Sequence, residues 1–190
     1  MRKLLLLLLL QCTMLGAQTR IRDVYAAAPD SVFPLLTGNN RLDQIDFREN
    51  NMKAEVKNKF EDHAELLVLS DRYLRLRLSG RHLVEMRLLS DSTFCMVETF
   101  SAPAPDSRVR LFDTAWHELP QGIDRPSVDE FLGEDIDVDI RLALHALPLI
   151  KASLSEDDDS LTFELQTGEL TRQQRMSLEG RVHKICRRLR

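Results

Sequence analysis

Two groups of acidic residues carry the oxygen ligands that calcium prefers. In the segment GEDIDVDI, Asp135, Asp137 and Asp139 stand at alternate positions, so an extended chain projects these carboxylates to one side. The segment SEDDDS groups the acids of residues 156–159 in a short turn. Neither segment has the glycine and the distal bidentate glutamate of a calcium-binding loop. We therefore expect the acids to keep a loop and a hairpin turn solvated, and we predict no metal or other cofactor.

Catalytic spacing is missing from the sequence. The chain has no Gly-x-Ser-x-Gly nucleophile elbow and no His-Glu-x-x-His zinc motif. A hydrolase would need two of the histidines to meet an acid and a serine in the folded chain, and nothing in their spacing proposes this. We therefore predict that the protein is not an enzyme. The scattered histidines are His63, His82, His117, His145 and His183.

Arginines alternate with leucines in the segment YLRLRLS, which is typical of a strand with one polar face. Guanidinium groups on such a face suit carboxylate or glycan partners. The alternative is a solvated face whose arginines pair with Glu85 and Glu98. The candidate partner-binding face comprises Tyr73, Arg75 and Arg77, with Arg87 from a neighbouring strand.

A second polar feature is the segment NNRLDQIDFRENN, which we interpret as a capped helix. Asn40 as N-cap with Asp43 three residues later fits a variant of the capping box. Asn50 and Asn51 suit a left-handed exit into the next strand. At 100° per residue, four polar side chains fall within roughly 60° of one another and form a stripe that we expect to tie the helix to a sheet. The stripe comprises Asn39, Asp43, Asp46 and Asn50.

The first residues, MRKLLLLLLLQCTMLGAQ, have the layout of a secretory signal peptide over residues 1–17. We expect a soluble exported protein rather than a lipoprotein acylated at Cys12, because Gln11 stands where the lipoprotein peptidase needs a small residue. Loss of Arg2 and Lys3 changes the formal charge from −4 to about −6. This acidity argues against a nucleic-acid partner. The rest of the chain contains no apolar run of roughly 20 residues that would span a membrane.

Two cysteines remain after residue 17, Cys95 and Cys186. Outside the cytoplasm they either form a disulfide or stay as separate buried thiols, since both lie in segments with a strand pattern. Both alternatives stay open at the level of the sequence.

Strand patterns with a period of two dominate from about Met52 to Asp113, and short hairpin-type turns separate them. Short connections imply antiparallel neighbours, so we predict a meander of five or six strands. The segment RDVYAAAPDSVFPLLT before it favours a helix that ends at Gly38. A polar connection marks a candidate subdomain break near residues 114–135.

The C-terminal third begins with the segment DIRLALHAL, which favours a short helix. The segments PLIKASLS and SLTFELQ favour a hairpin across SEDDDS. Thr171 with Gln174 forms a capping box, Gly180 is a helix stop, and a last strand follows. The prediction is one α+β domain over residues 18–190, dominated by an antiparallel meander, with N-terminal helices and one C-terminal helix packed on the sheet.

The run APDSVFPLLTGNNRLDQIDFRENNMKAEV, followed by YLRLRLS and HLVEMRLL, resembles a secreted family largely restricted to Bacteroidales and known as domain of unknown function 3256. The resemblance spans essentially the whole chain after the signal peptide. It implies an exported bacterial envelope protein of unknown role, and it assigns no catalytic residues.

These patterns lead to two functional hypotheses. The first is an exported, non-enzymatic binding or scaffold module for an envelope protein or a glycan. The alternative is a periplasmic carrier of a lipid-like or other apolar ligand, held in a cavity between the sheet and its helices. Strand patterns alone do not separate a filled core from such a cavity.

Overall fold

The computed structural model describes residues 18–189, so the predicted signal peptide and Cys12 lie outside the described residues. No helix in this part of the chain is both long and apolar enough to cross a membrane. The helices are α1 (Ile21–Ala26), α2 (Gly38–Glu49), α3 (Val128–Phe131), α4 (Val138–Ala146) and α5 (Arg172–Ser177). The strands are β1 (Glu55–Lys57), β2 (His63–Leu69), β3 (Tyr73–Ser79), β4 (His82–Leu88), β5 (Thr93–Ser101), β6 (Pro105–Asp113), β7 (Ile150–Leu154), β8 (Ser160–Leu165) and β9 (Ile185–Arg188).

Strands β1 to β6 form one antiparallel sheet in chain order, which confirms the predicted meander. Leu74 pairs with Met86, and Met86 pairs with Met96, so these three side chains share one face of the sheet. The first strand starts at Glu55, because a left-handed residue, Asn51 (φ 57°), is followed by a bend before the chain becomes extended.

Strands β7, β8 and β9 form a separate antiparallel sheet. The hairpin across SEDDDS is confirmed, and β9 adds to it through the pairing of Phe163 with Ile185. The predicted capping box is present, since the Thr171 side chain accepts the backbone N–H of Gln174 at the start of α5. Gly180 has a φ of 72° in the turn after α5, the left-handed conformation that suits a glycine.

Both faces of the six-stranded sheet are buried. The helix face, which carries Leu74, Leu76 and Met86, packs against α1, α2 and the segment between them. The sheet face, which carries Tyr73, Cys95 and Val97, packs against the second sheet together with α3 and α4. The described chain is therefore an α+β fold with α1 and α2 on one side of the meander and the second sheet, α3 and α4 on the other.

Helix α2 begins one turn earlier than the sequence suggested. Its N-cap is Thr37, whose side chain accepts the N–H of Asn40, while the Asn40 side chain accepts the N–H of Thr37. Asn40 is thus the third residue of the capping box and not the cap itself. Gly38 accordingly starts this helix and does not end the preceding one, and α1 already stops at Ala26.

Candidate functional site

The polar stripe of α2 faces solvent, and the expectation that it ties the helix to the sheet is wrong. Asn39, Asp43, Asp46 and Asn50 are all exposed. The Asn50 side chain donates to the Asp46 carboxylate at 3.1 Å and to the Asp46 carbonyl at 2.9 Å, which closes the end of the helix on itself. The stripe is therefore the outer side of α2.

Two other polar residues, Arg41 and Gln44, hold α2 in place. Gln44 is 0% exposed; it accepts a hydrogen bond from the Tyr25 hydroxyl at 2.6 Å and donates to the Ala64 carbonyl at 3.1 Å. Arg41, also buried, donates to the Ala28 carbonyl at 2.6 Å. The amide of Gln44 and the terminal nitrogens of Arg41 thus have partners, as burial requires, while Arg41 Nε has none within the described residues. Sequence patterns did not reveal the buried side of α2, because that side itself carries polar residues.

The candidate partner-binding face is not one exposed surface. Tyr73 and Arg87 are buried under the second sheet, so the interpretation of these two residues as a partner-binding surface is wrong. Arg87, 5% exposed, donates to the Asp159 carboxylate at 2.8 Å and to the Glu156 carbonyl at 3.1 Å. Arg87 therefore connects the central sheet to the acidic turn between β7 and β8.

The remaining two arginines of that set lie nearer the surface. Arg75 is half-buried, while Arg77 is exposed and forms an ion pair with Glu65. Arg77 is thus paired with an acid, as the alternative expected, but the acid is Glu65 and not Glu85 or Glu98. Only the outer end of the predicted face is accessible.

Tyr73 and Glu85 form a buried hydrogen-bonded pair on the sheet face. The Tyr73 hydroxyl donates to Glu85 Oε1 at 2.6 Å. Burial raises the pKa of Glu85 in spite of this hydrogen bond, and it also raises the pKa of Tyr73, which the nearby Glu85 charge raises further. Burial between the two sheets therefore disfavours the charged form of each group.

The cysteines are free thiols in different environments, so the disulfide alternative is not what the structure contains. Cys95 is buried on the sheet face and Cys186 is exposed on β9. Burial, followed by the Glu85 charge, raises the pKa of Cys95 to about 12. Cys95 is thus poorly suited to be a nucleophile.

The acidic segments have structural tasks. The Asp137 side chain caps α4 by accepting the N–H groups of Asp139 and Ile140, and Asp159 holds Arg87. Within residues 18–189 there is no group of three or more histidine, cysteine or acidic side chains placed to hold a metal ion. In the same range, no hydrogen bond joins a histidine to a serine; each of four histidines instead contacts a carboxylate.

The accessible feature with binding geometry is a cleft of about 300 Å³ along β6, which we call the β6 cleft. Val109, Ile123, Ile150 and Phe163 supply apolar lining, and Arg108 and Arg125 supply charge. Apolar walls with a few placed polar groups are typical of binding sites.

The edge of β6 is unpaired beside this cleft. Leu119 donates its N–H to the Leu111 carbonyl at 2.8 Å, so the chain that follows β6 turns back and pairs with its end. Outward-pointing backbone groups recur at every second residue of an antiparallel strand, so Val109 also directs its N–H and C=O away from β5. The returning chain leaves the edge at Pro120, and Val109 has no backbone partner on that side within the described residues.

Arg125 closes one end of the cleft. Its guanidinium donates to Asp106 Oδ1 and to the Pro148 carbonyl, both at 2.6 Å, and to the Ser107 carbonyl at 3.2 Å. Asp106 also accepts the N–H of Ile150 at 2.9 Å. These groups join the two sheets and are already partnered, so they shape the cleft.

Arg108 is the freer cation. Its side chain is 66% exposed, and a carboxylate oxygen of Glu118 lies 4.0 Å away. Glu98, which stands opposite Arg108 in the strand register, is engaged by Arg110 at 2.5 Å. Arg108 therefore presents a loosely held positive charge beside the apolar lining.

A polar cluster borders the cleft on the side of the sheet that carries Arg108. Glu98 lies 3.8 Å from His82, and the His82 ring stacks on Phe100 with 4.1 Å between centroids. Burial acts to raise the pKa of Glu98, but the hydrogen bonds and charges of His82 and Arg110 outweigh it and lower the pKa. The lowered pKa favours the charged form of Glu98, which lies between His82 and Arg110.

Sequence patterns did not locate the β6 cleft. Its walls come from segments far apart in the chain: β6, the polar connection at Ile123, and the strands that contain Ile150 and Phe163. The sequence signal that could have indicated an unpaired edge was Pro120, because a proline cannot donate a hydrogen bond to an adjacent strand.

A protein-family model described as "Protein of unknown function (DUF3256)" matches residues 13–184 of the chain. A solved structure, "Structure of a domain of an uncharacterized protein from Porphyromonas gingivalis W83", is similar with a TM-score of 0.76 and 22% sequence identity. That similarity covers 92% of this chain and 96% of the other and concerns the fold alone. No curated protein matches the chain.

Proposed function

The chain belongs to the DUF3256 family of proteins of unknown function, and we propose that it is an exported envelope protein that binds a protein partner through the β6 cleft. One observation carries this proposal. The cleft combines apolar lining and an exposed arginine with an edge strand, β6, where the backbone of Val109 has no partner on its outer side within the described residues. Such a combination favours recognition of another chain.

The chemistry of the lining favours binding over catalysis. Among residues 18–189, Asp106 is the only carboxylate that lines the cleft, and it is engaged by Arg125 and by the N–H of Ile150. No histidine or cysteine of this range lines it. A general acid or base needs a titratable group that is free to exchange a proton with a ligand, and the polar groups here are occupied in joining the two sheets.

The carrier hypothesis has weaker support. A volume of about 300 Å³ lies at the lower end of the range for small-molecule sites, which extends to roughly 1,000 Å³. A lipid tail would need a longer apolar chamber, whereas a short protein segment with one apolar side chain suits this size.

Export rests on the sequence of residues 1–17. The proposal predicts that the cell releases a chain starting at Gln18, which intact-mass measurement of the protein from a periplasmic or outer-envelope fraction will detect. A full-length chain in the cytoplasmic fraction would contradict export. A chain that starts at a diacylated Cys12 would show that the protein is a lipoprotein.

Site-specific photo-crosslinking in the cells that produce the protein tests the cleft. A photoreactive benzoylphenylalanine at position 108 should give a discrete adduct, and the same group at the exposed position Arg172 should not. Ile123→Asp places a charge in the apolar lining and should abolish the adduct while the protein keeps its melting temperature. Equal labelling at positions 108 and 172, or none at 108, would remove the β6 cleft as the binding site.

A further inference from the structure

We propose that the β6 cleft receives an extended peptide segment as an additional strand. An apolar residue of this segment pairs with Val109, and an acidic neighbour meets Arg108. The inference rests on the proposed function and specifies its ligand as peptide backbone with one apolar and one acidic side chain.

The direction of the added strand follows from the chain that already occupies part of the edge. Phe112 and Glu118 form an antiparallel bridge there, and Leu119 still donates to Leu111. After Pro120, no described residue hydrogen-bonds to the backbone of Val109 on its outer side, and the β6 cleft lies beside it. A second chain that runs antiparallel to β6 continues this pairing and satisfies both backbone groups of Val109.

Strand geometry determines which side chain enters the cleft. In antiparallel pairing, directly opposed residues have their side chains on the same face. The Val109 side chain packs against the core between the two sheets, and Ile150 and Phe163 of that core also line the cleft. The peptide residue opposite Val109 therefore inserts its side chain among apolar groups, which favours a residue such as leucine.

The next residue of the peptide projects to the other side, where Arg108 lies. Arg108 is mostly exposed and only loosely paired with Glu118, whereas neighbouring Arg110 is already engaged by Glu98. A carboxylate at this peptide position gains a charge-assisted hydrogen bond from Arg108. A basic residue there would meet a like charge.

The pairing is short. The Ser107 carbonyl already accepts Arg125, and the Leu111 carbonyl already accepts Leu119. One residue pair with two backbone hydrogen bonds therefore remains, and an isolated peptide should bind with a Kd on the order of 1 mM. A protein partner can add affinity through contacts around the cleft.

Amide exchange of Val109, measured by NMR on the ¹⁵N-labelled protein, tests strand addition directly. The probe is an acetylated and amidated pentapeptide with the sequence serine-glutamate-leucine-glutamate-serine. At a concentration of about five times its Kd, the peptide should slow exchange of the Val109 amide about sixfold, because about one sixth of the protein remains free. The same peptide with an N-methyl group on leucine has lost the donor for the Val109 carbonyl and should give no protection. Equal protection by both peptides would overturn the pairing.

Charge reversal tests the side-chain assignment. Arg108→Glu should raise the Kd of the glutamate peptide at least tenfold. The same variant should bind a pentapeptide with lysines in place of the glutamates more tightly than the glutamate peptide. The control Arg172→Glu makes the same charge change on α5 and should alter neither Kd. Unchanged peptide binding by the Arg108→Glu protein would overturn the acidic preference.

Two outcomes distinguish this inference from the proposed function. If position 108 crosslinks a partner in cells but no peptide protects Val109, the binding function stands and strand addition is wrong. If Val109 becomes protected as protein concentration rises without peptide, and sedimentation shows a dimer, the occupant is a second copy and the peptide proposal is overturned.

Discussion

The helix face and the sheet face of the six-stranded sheet both bury polar side chains, but these side chains come from opposite partners. On the helix face the covering helix α2 supplies Arg41 and Gln44, and the strands beneath are largely apolar. On the sheet face the central strands themselves supply Tyr73, Glu85 and Arg87, and the covering turn answers with backbone carbonyls and Asp159.

The two faces show that a polar residue indicates the solvent side of a helix or strand only when no other element covers that side. Arg75 and Arg77 have the alternation of a solvated strand face, and so does Arg87, yet a second sheet lies over Arg87. Burial is possible because most of these polar atoms receive a partner, without which each would cost several kcal/mol.

Arg87→Leu should be the most damaging change on the sheet face. It leaves the partly buried Asp159 carboxylate and the Glu156 carbonyl without their donor. We expect the free energy of unfolding, measured in urea, to fall by about 3 kcal/mol. Arg77→Leu removes an exposed ion pair from the same sheet and should cost about 0.5 kcal/mol or less. Equal losses for the two variants would contradict the structural role of Arg87.

Gln44→Ala tests the helix face. It removes the acceptor of the Tyr25 hydroxyl and the donor to the Ala64 carbonyl, both buried. We expect a loss of about 2–3 kcal/mol in the free energy of unfolding. Asp46→Ala, on the exposed side of the same helix, should change it by no more than about 0.5 kcal/mol. A larger effect at Asp46 would restore a stabilising role to the polar stripe.

Glu85 and Glu98 should show opposite pH dependence. The folded-state pKa of Glu85 is raised, so its favourable contribution is present below the unfolded pKa of about 4.3 and is lost as pH rises through the folded value. The pKa of Glu98 is lowered, so its contribution is present above about 4.3 and is lost as pH falls through the folded value.

We therefore expect Glu85→Gln to match or exceed the wild-type melting temperature at pH 7, with no advantage near pH 4. Glu98→Gln should lower stability at pH 7 by on the order of 1 kcal/mol, the size of one charged hydrogen bond, and the loss should shrink in acid. Thermal unfolding of both variants across this pH range measures the difference. The same pH trend for both would contradict the assigned pKa directions.

The smallest effect on stability is expected in a test of the cysteines, because a thiol reagent modifies only the surface of the folded protein. A thiol reagent at pH 8 should modify Cys186 in the folded, processed protein and spare buried Cys95, whose pKa is raised to about 12. Cys186→Ser should leave no reactive thiol until the protein unfolds in denaturant. Rapid labelling of that variant would show that the sheet face opens readily.

Local patterns predicted most of the elements, since periodicity and capping are properties of neighbouring residues. The meander, the hairpin across SEDDDS and the capping box at Thr171 are confirmed, and so is the family resemblance carried by the N-terminal run. The start of α2 was misplaced by one turn, because Asn40 is compatible with both the cap and the third position of a capping box.

Spacing along the chain predicted most of the helices and strands and the antiparallel order of the meander, but it did not predict helix α3 within the polar connection. The tertiary structure was needed to show that a second sheet covers Arg87 and that Gln44, not Asp46, is buried. It also shows that the apolar lining of the cleft comes together beside Val109 at the edge of β6. The physical reason is that burial depends on what packs against a face, and the covering elements lie tens of residues away in the chain. The β6 cleft is the clearest case, since its walls come from segments far apart in the chain.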